Sequence, residues 1–116
     1  MYHWTMQGIP LYTIEKVWKA VDTLASGTAS LRQRLYDAHI SSLHVLEASD
    51  FPDALKQEFE AIEEALTWIP VDREDEGTVA FTTNAMSDDE AKRLATRMVS
   101  LFYEMVNRYP DSRAPS

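Results

Sequence analysis

Apolar residues recur every three or four positions along most of this chain, and four helices can be read from that pattern. Ile14, Val17, Trp18, Val21, Leu24 and Ala25 share one face of a helix over about 11–26. Gly27 follows at the place where helices often end in a residue of positive φ, and that conformation is expected of it. Thr28 or Ser30 is placed to cap a second helix, about 29–48, with Leu31, Leu35, Leu43 and Leu46 on its apolar side. The run Ser49-Asp50-Phe51-Pro52 ends it, because a residue before proline is pushed out of the helical region. Pro52 opens a third helix, about 52–68, with a stripe of Leu55, Phe59, Ile62 and Leu66. A capping box, Ser87 to Glu90, starts the fourth, which runs to about Arg108 and stops before Pro110.

The links decide the topology. Those at Gly27 and Asp50 are short, which predicts antiparallel neighbours for the first three helices. The third link, residues 69–86, is long and acidic. Val79 and Phe81 alternate with Ala80 and Thr82, and Tyr2, Trp4 and Met6 alternate near the start, so short extended segments are expected in both places. The fold class is therefore all-α: a small four-helix bundle with an up-down-up start and a long crossover between helices three and four. Residues 1–110 form one domain, with 1–10 an extended arm and 111–116 a disordered tail. Trp18, Leu35, Phe59 and Leu101 are expected in one core.

The helices differ in how much apolar surface they offer. At about 100° per residue, the stripe of the third spans roughly 60°. The fourth carries Leu94, Ala95, Met98, Val99, Leu101, Phe102, Met105, Val106 and Tyr109 over roughly 160°, and the first is similarly broad. A bundle of four needs only about 100° from each helix. The excess points to a twofold homodimer through the fourth helix and the N-terminal arm, with Val99, Phe102, Tyr103 and Val106 at its interface; the competing reading is that the arm and the 69–86 loop fold back over the fourth helix within one chain.

Charge changes the picture next. The net charge is −8 over 116 residues. Residues 47–76 alone hold eleven acids and two bases, and the two flanking segments are close to neutral. No basic footprint exists for direct nucleic-acid binding. The acids Asp53, Glu60, Glu64, Asp72, Glu74, Asp75 and Glu76 are read as a surface for a protein partner with a basic face. The same acids would serve an inhibitor or nucleic-acid mimic that fills a basic site on another protein. The first ten residues lack the basic and apolar regions of a signal peptide, and no stretch is long enough to span a membrane. The cytoplasm is the expected compartment.

Candidate chemistry is sparse. There is no cysteine, and the three glycines are isolated, so thiol chemistry and glycine-rich phosphate loops are absent. His39 and His44 stand about 140° apart on a continuous helix, so they are not expected to share a metal ion. His39 lies at the edge of the apolar stripe and His44 points away from it. Glu60-Ala61-Ile62-Glu63, with Glu104-Met105-Val106-Asn107 as a second half, resembles the carboxylate pattern of the all-α nucleotide pyrophosphohydrolases. That resemblance covers about eight residues and implies Mg²⁺-dependent hydrolysis of a nucleotide. The chain departs from the pattern at Asn107, where an acid would be needed. The favoured reading is a non-enzymatic interaction or regulatory module that needs no cofactor.

Overall fold

The computed structural model describes residues 9–67 and 78–108. Residues 1–8 of the arm, the tail, and Asp72, Glu74, Asp75 and Glu76 lie outside them, and Ile9 of the arm is buried in the core. Among the described residues the fold is a small all-α bundle: α1 (Leu11–Ser26), α2 (Leu31–Ser41), α3 (Asp53–Thr67), α4 (Thr78–Ala85) and α5 (Asp88–Arg108), with two 3₁₀ turns at Leu43–Val45 and Ala48–Asp50 and no strand.

Local signals account for most of the helix ends. The Ser30 side chain accepts a hydrogen bond from the Gln33 amide and caps α2. Glu47 and Asp50 form a capping box around the second 3₁₀ turn. Phe51 is extended, at φ −115° and ψ 150°, as the proline after it requires. At the head of α5 the Ser87 amide donates to Glu90, and the Glu90 amide donates to the Ser87 hydroxyl. Asp88, Asp89 and Glu90 then lie in the first turn, where the helix dipole favours negative charge.

Gly27 differs from expectation. Its φ is −71°, which any residue can adopt. Glycine is required there for space instead. Arg34 crosses over it to donate to the carbonyls of Ala29 and Leu24. A Cβ on Gly27 would stand 2.8 Å from the Arg34 Cδ and 2.9 Å from the Thr23 carbonyl oxygen.

The second helix is shorter than its leucine pattern. It ends at Ser41, and the chain continues in 3₁₀ turns. The Ser41 hydroxyl donates to the Asp37 carbonyl, and the Ser41 and Ser42 hydroxyls lie 3.4 Å apart. Serines that bond the backbone locally compete with helix continuation. Leu43 and Leu46 still reach the core, three residues apart on the turn.

The expected extended stretch at 79–82 is part of α4. This helix packs on both α2 and α3. It buries Val79, Thr82 and Thr83 at helical spacing, followed by Met86. Helices α2 and α5 each pack on three others, α2 on α1, α4 and α5, and α5 on α1, α2 and α3.

The core is continuous from Ile9 to Met105 and includes Leu35, Phe59 and Leu101 as expected. Phe51 and Phe59 stack with ring centroids 4.5 Å apart. Trp18 is not in the core; it is 49% exposed. The buried face of α1 is Thr13, Ile14, Val17, Ala20 and Leu24. At 100° per residue, Trp18 stands roughly 110° round from the middle of that face.

Phe59 is 3% exposed and holds the stacked pair, so Phe59→Ala is expected to cost about 3–5 kcal/mol. Urea denaturation followed by circular dichroism measures it. A loss below about 1 kcal/mol would mean that this ring is not central to the core.

Candidate interaction surfaces

Helix α3 shows how the chain uses its acids. Glu58 and Glu63 flank the apolar stripe, and both are tied to other helices. Glu58 accepts two bonds from Arg97 of α5, at 3.0 Å from Nε and 3.2 Å from Nη2. Its carboxylate also holds the Arg97 guanidinium above its ordinary pKa, chiefly through that hydrogen bond. Both partners are more than a third exposed, so solvent screens the pair and its net effect on stability is small. Glu63 Oε1 lies 3.1 Å from Nε2 of the buried His39, joining α3 to the end of α2. The other polar atoms of that pair, His39 Nδ1 and Glu63 Oε2, are buried without a hydrogen-bond partner among the described residues.

Asp53, Glu60 and Glu64 are exposed, on the side of α3 away from the core. Asp53 pairs with Lys56 at 3.1 Å. Glu60 and Glu64, one turn apart, have no ion-pair partner among the described residues. The acidic surface read from the sequence thus reduces here to these three, with the acids of 72–76 outside the described residues.

The hydrolase-like spacing does not converge. Glu60 points to solvent, and Glu63 turns to His39. Asn107 donates its side-chain amide to the Tyr103 carbonyl. Because α2 ends at Ser41, His44 comes within 6.4 Å of His39 between ring centroids, closer than a continuous helix would allow. Among the described residues no group of three or more histidines and acids is placed to hold a metal ion. None of their helices is long and apolar enough to cross a membrane.

A second surface lies along α1 and α5. Helix α5 buries Ala91, Leu94, Met98, Leu101 and Met105, and that uses only part of its apolar stripe. Val99 is 46% exposed and Tyr103 62% exposed, with Phe102 and Val106 half-buried beside them. On α1, Leu11 and Trp18 are about half exposed. The rings of Trp18 and Phe102 meet with centroids 5.7 Å apart. Below them an open groove of about 340 Å³ runs between Val21, Leu24 and Ala25 of α1 and Ala95, Thr96 and Val99 of α5. These pairings run in opposite chain directions, so the two helices are antiparallel. A smaller hollow of about 230 Å³ near the start of α5 is lined in part by Ala65, Glu90, Arg93 and Arg97.

Sequence reasoning placed Val99, Phe102, Tyr103 and Val106 on this surface and missed Trp18. The available signal was the breadth of the first helix, which carries more apolar residues than one buried face can hold.

The two kinds of glutamate are expected to behave differently. Replacing Glu60 and Glu64 together by glutamine should shift stability by less than about 1 kcal/mol. His39→Ala, which strips a half-buried carboxylate of its partner, should cost about 1–3 kcal/mol. Denaturant titration compares the two, and equal effects would mean that Glu60 and Glu64 are paired inside the fold.

Comparison of the chain with family models, with curated proteins and with solved structures found no match in any of the three.

Proposed function

We propose that this chain is a non-enzymatic protein–protein interaction module whose binding face is the ridge formed by α1 and α5. The observation that carries it is the set of large side chains left in solvent on these two helices, Leu11, Trp18, Val99 and Tyr103, with Val99 lining an open groove. Monomers rarely keep contiguous apolar patches exposed, and tryptophan and tyrosine are the residue types that dominate binding energy at interfaces. A cytoplasmic setting is assumed.

A second reading uses the acidic side of α3 as a docking surface for a basic protein, or as a mimic that fills a basic site. Glu60 and Glu64 favour it. They stand one turn apart, like-charged and unpaired among the described residues, a pattern that costs a few tenths of a kcal/mol in an isolated helix. The two surfaces are compatible with one molecule. The hydrolase reading has less support, because Glu60 and Glu63 are aimed apart.

Affinity capture from extract of the chain's own cells tests the choice. Under the ridge reading, Val99→Glu abolishes capture of specific partners, and the double variant Glu60→Lys, Glu64→Lys retains them. The reverse pattern would move the binding face to α3. Mg²⁺ with nucleoside triphosphates is expected to leave the melting temperature unchanged, since only a ligand that binds the native state raises it. A rise of several degrees would reinstate a nucleotide enzyme.

A further inference from the structure

We infer that the occupant of the α1–α5 ridge is a second copy of this chain, docked about a twofold axis that sets α1 antiparallel to its counterpart. This rests on the reading of the ridge as a binding face, and it follows from charge. The chain carries a net −8, nearly all of it in residues 47–76, so that segment repels its counterpart in a second copy. The exposed acids of α3 are all of one sign and cannot meet themselves.

The margin of the ridge is different. Glu15, Lys19 and Asp22 lie along the outer edge of α1, within about 100° of Trp18, and Lys92 lies about 20° from Val99 on α5. All four are exposed, and none has an ion-pair partner among the described residues. With Asp88, also exposed and about 20° from Val99, the margin holds three acids and two bases, so this face is close to neutral. A strongly basic partner finds a better match on α3. A strongly acidic one meets Glu15 and Asp22 here.

The order of the charges is also self-complementary. Lys19 and Asp22 stand one turn apart with opposite signs. Under a twofold axis perpendicular to α1 between them, Lys19 faces Asp22 of the partner subunit, and the reciprocal pair forms at the same time. The level of that axis on α5 is set by one contact within the chain, Trp18 beside Phe102, and by the antiparallel run of the two helices along the groove. Counting along both helices, the same axis passes next to Val99. The most central apolar side chain of the ridge then packs near Val99 of the partner subunit. Trp18 and Tyr103 flank it, and the four helices close into an intermolecular bundle. One axis thus pairs the charges and centres the apolar patch.

Sedimentation equilibrium of the full chain at micromolar concentration tests this. The expected mass is twice the 13.3 kDa of one chain. A monomer at every concentration up to about 100 μM would overturn the inference. The ridge as a face for another protein is judged separately, by whether capture depends on Val99. Val99→Glu is expected to give a monomer with unchanged helical circular dichroism, since Val99 is not needed in the core. A persistent dimer in that variant would place the interface elsewhere and also overturn the inference. Lys19→Asp should weaken the dimer about tenfold, and Lys19→Asp combined with Asp22→Lys should restore it. A swap that restores nothing would overturn the antiparallel pairing of α1.

Discussion

The structure depends on one constraint: α5 is more apolar around its circumference than any single neighbour can cover. Ala91, Leu94, Met98, Leu101 and Met105 are all nearly inaccessible, and α1, α2 and α3 all pack against this helix. A helix of 21 residues with a stripe about 160° wide draws other elements to it from several sides. The short helix α4 fills the gap that remains between α2 and α3. Even so, coverage stops before the stripe does. The surplus on α5, together with Trp18 of α1, is the ridge. The internal architecture and the candidate interface are two consequences of one pattern.

Much of this was legible from the residues, and the failures have physical causes. Helices α1, α3 and α5 alternate apolar and polar faces, and their ends carry proline or capping signals. Helix α4 does not read this way, because its buried face is Val79, Thr82, Thr83 and Met86. The spacing i, i+3, i+4, i+7 is helical, but two of the four are threonine, which resembles a polar residue and has a preference for strands. Counting threonine as apolar would have exposed the period. For α2, Leu43 and Leu46 continued a helical count past the true end. Both are buried, but from a 3₁₀ turn after the serine pair.

The candidate surfaces were partly legible for a related reason. Position around a helix says which side chains are left over once a core is formed, and that was enough to find Val99 and Tyr103. It does not say how far neighbouring helices wrap, and Trp18 was assigned to the core on that account. The flanking acids show the same limit. Their position beside the α3 stripe marked Glu58 and Glu63 as boundary residues. That Arg97 and His39 would receive them depends on which helices become neighbours, and α4 altered that arrangement.

Those two ties give the molecule its polarity. On α5, Arg97 departs about 160° round from Val99, so the helix turns one side to α3 and the opposite side to the ridge. The acids nearest the core reach across to Arg97 of α5 and His39 of α2. The free ones, Glu60 and Glu64, lie on the side of α3 away from the core. The unpaired acids of α3 therefore stand apart from the ridge, whose margin carries charges of both signs. Such a separation lets an apolar face of mixed charge associate without bringing the acidic faces together. A twofold pairing through the ridge would send one acidic helix out on each side of the assembly. The self-repulsion of a chain at −8 would then be lowest at the one surface where two copies touch.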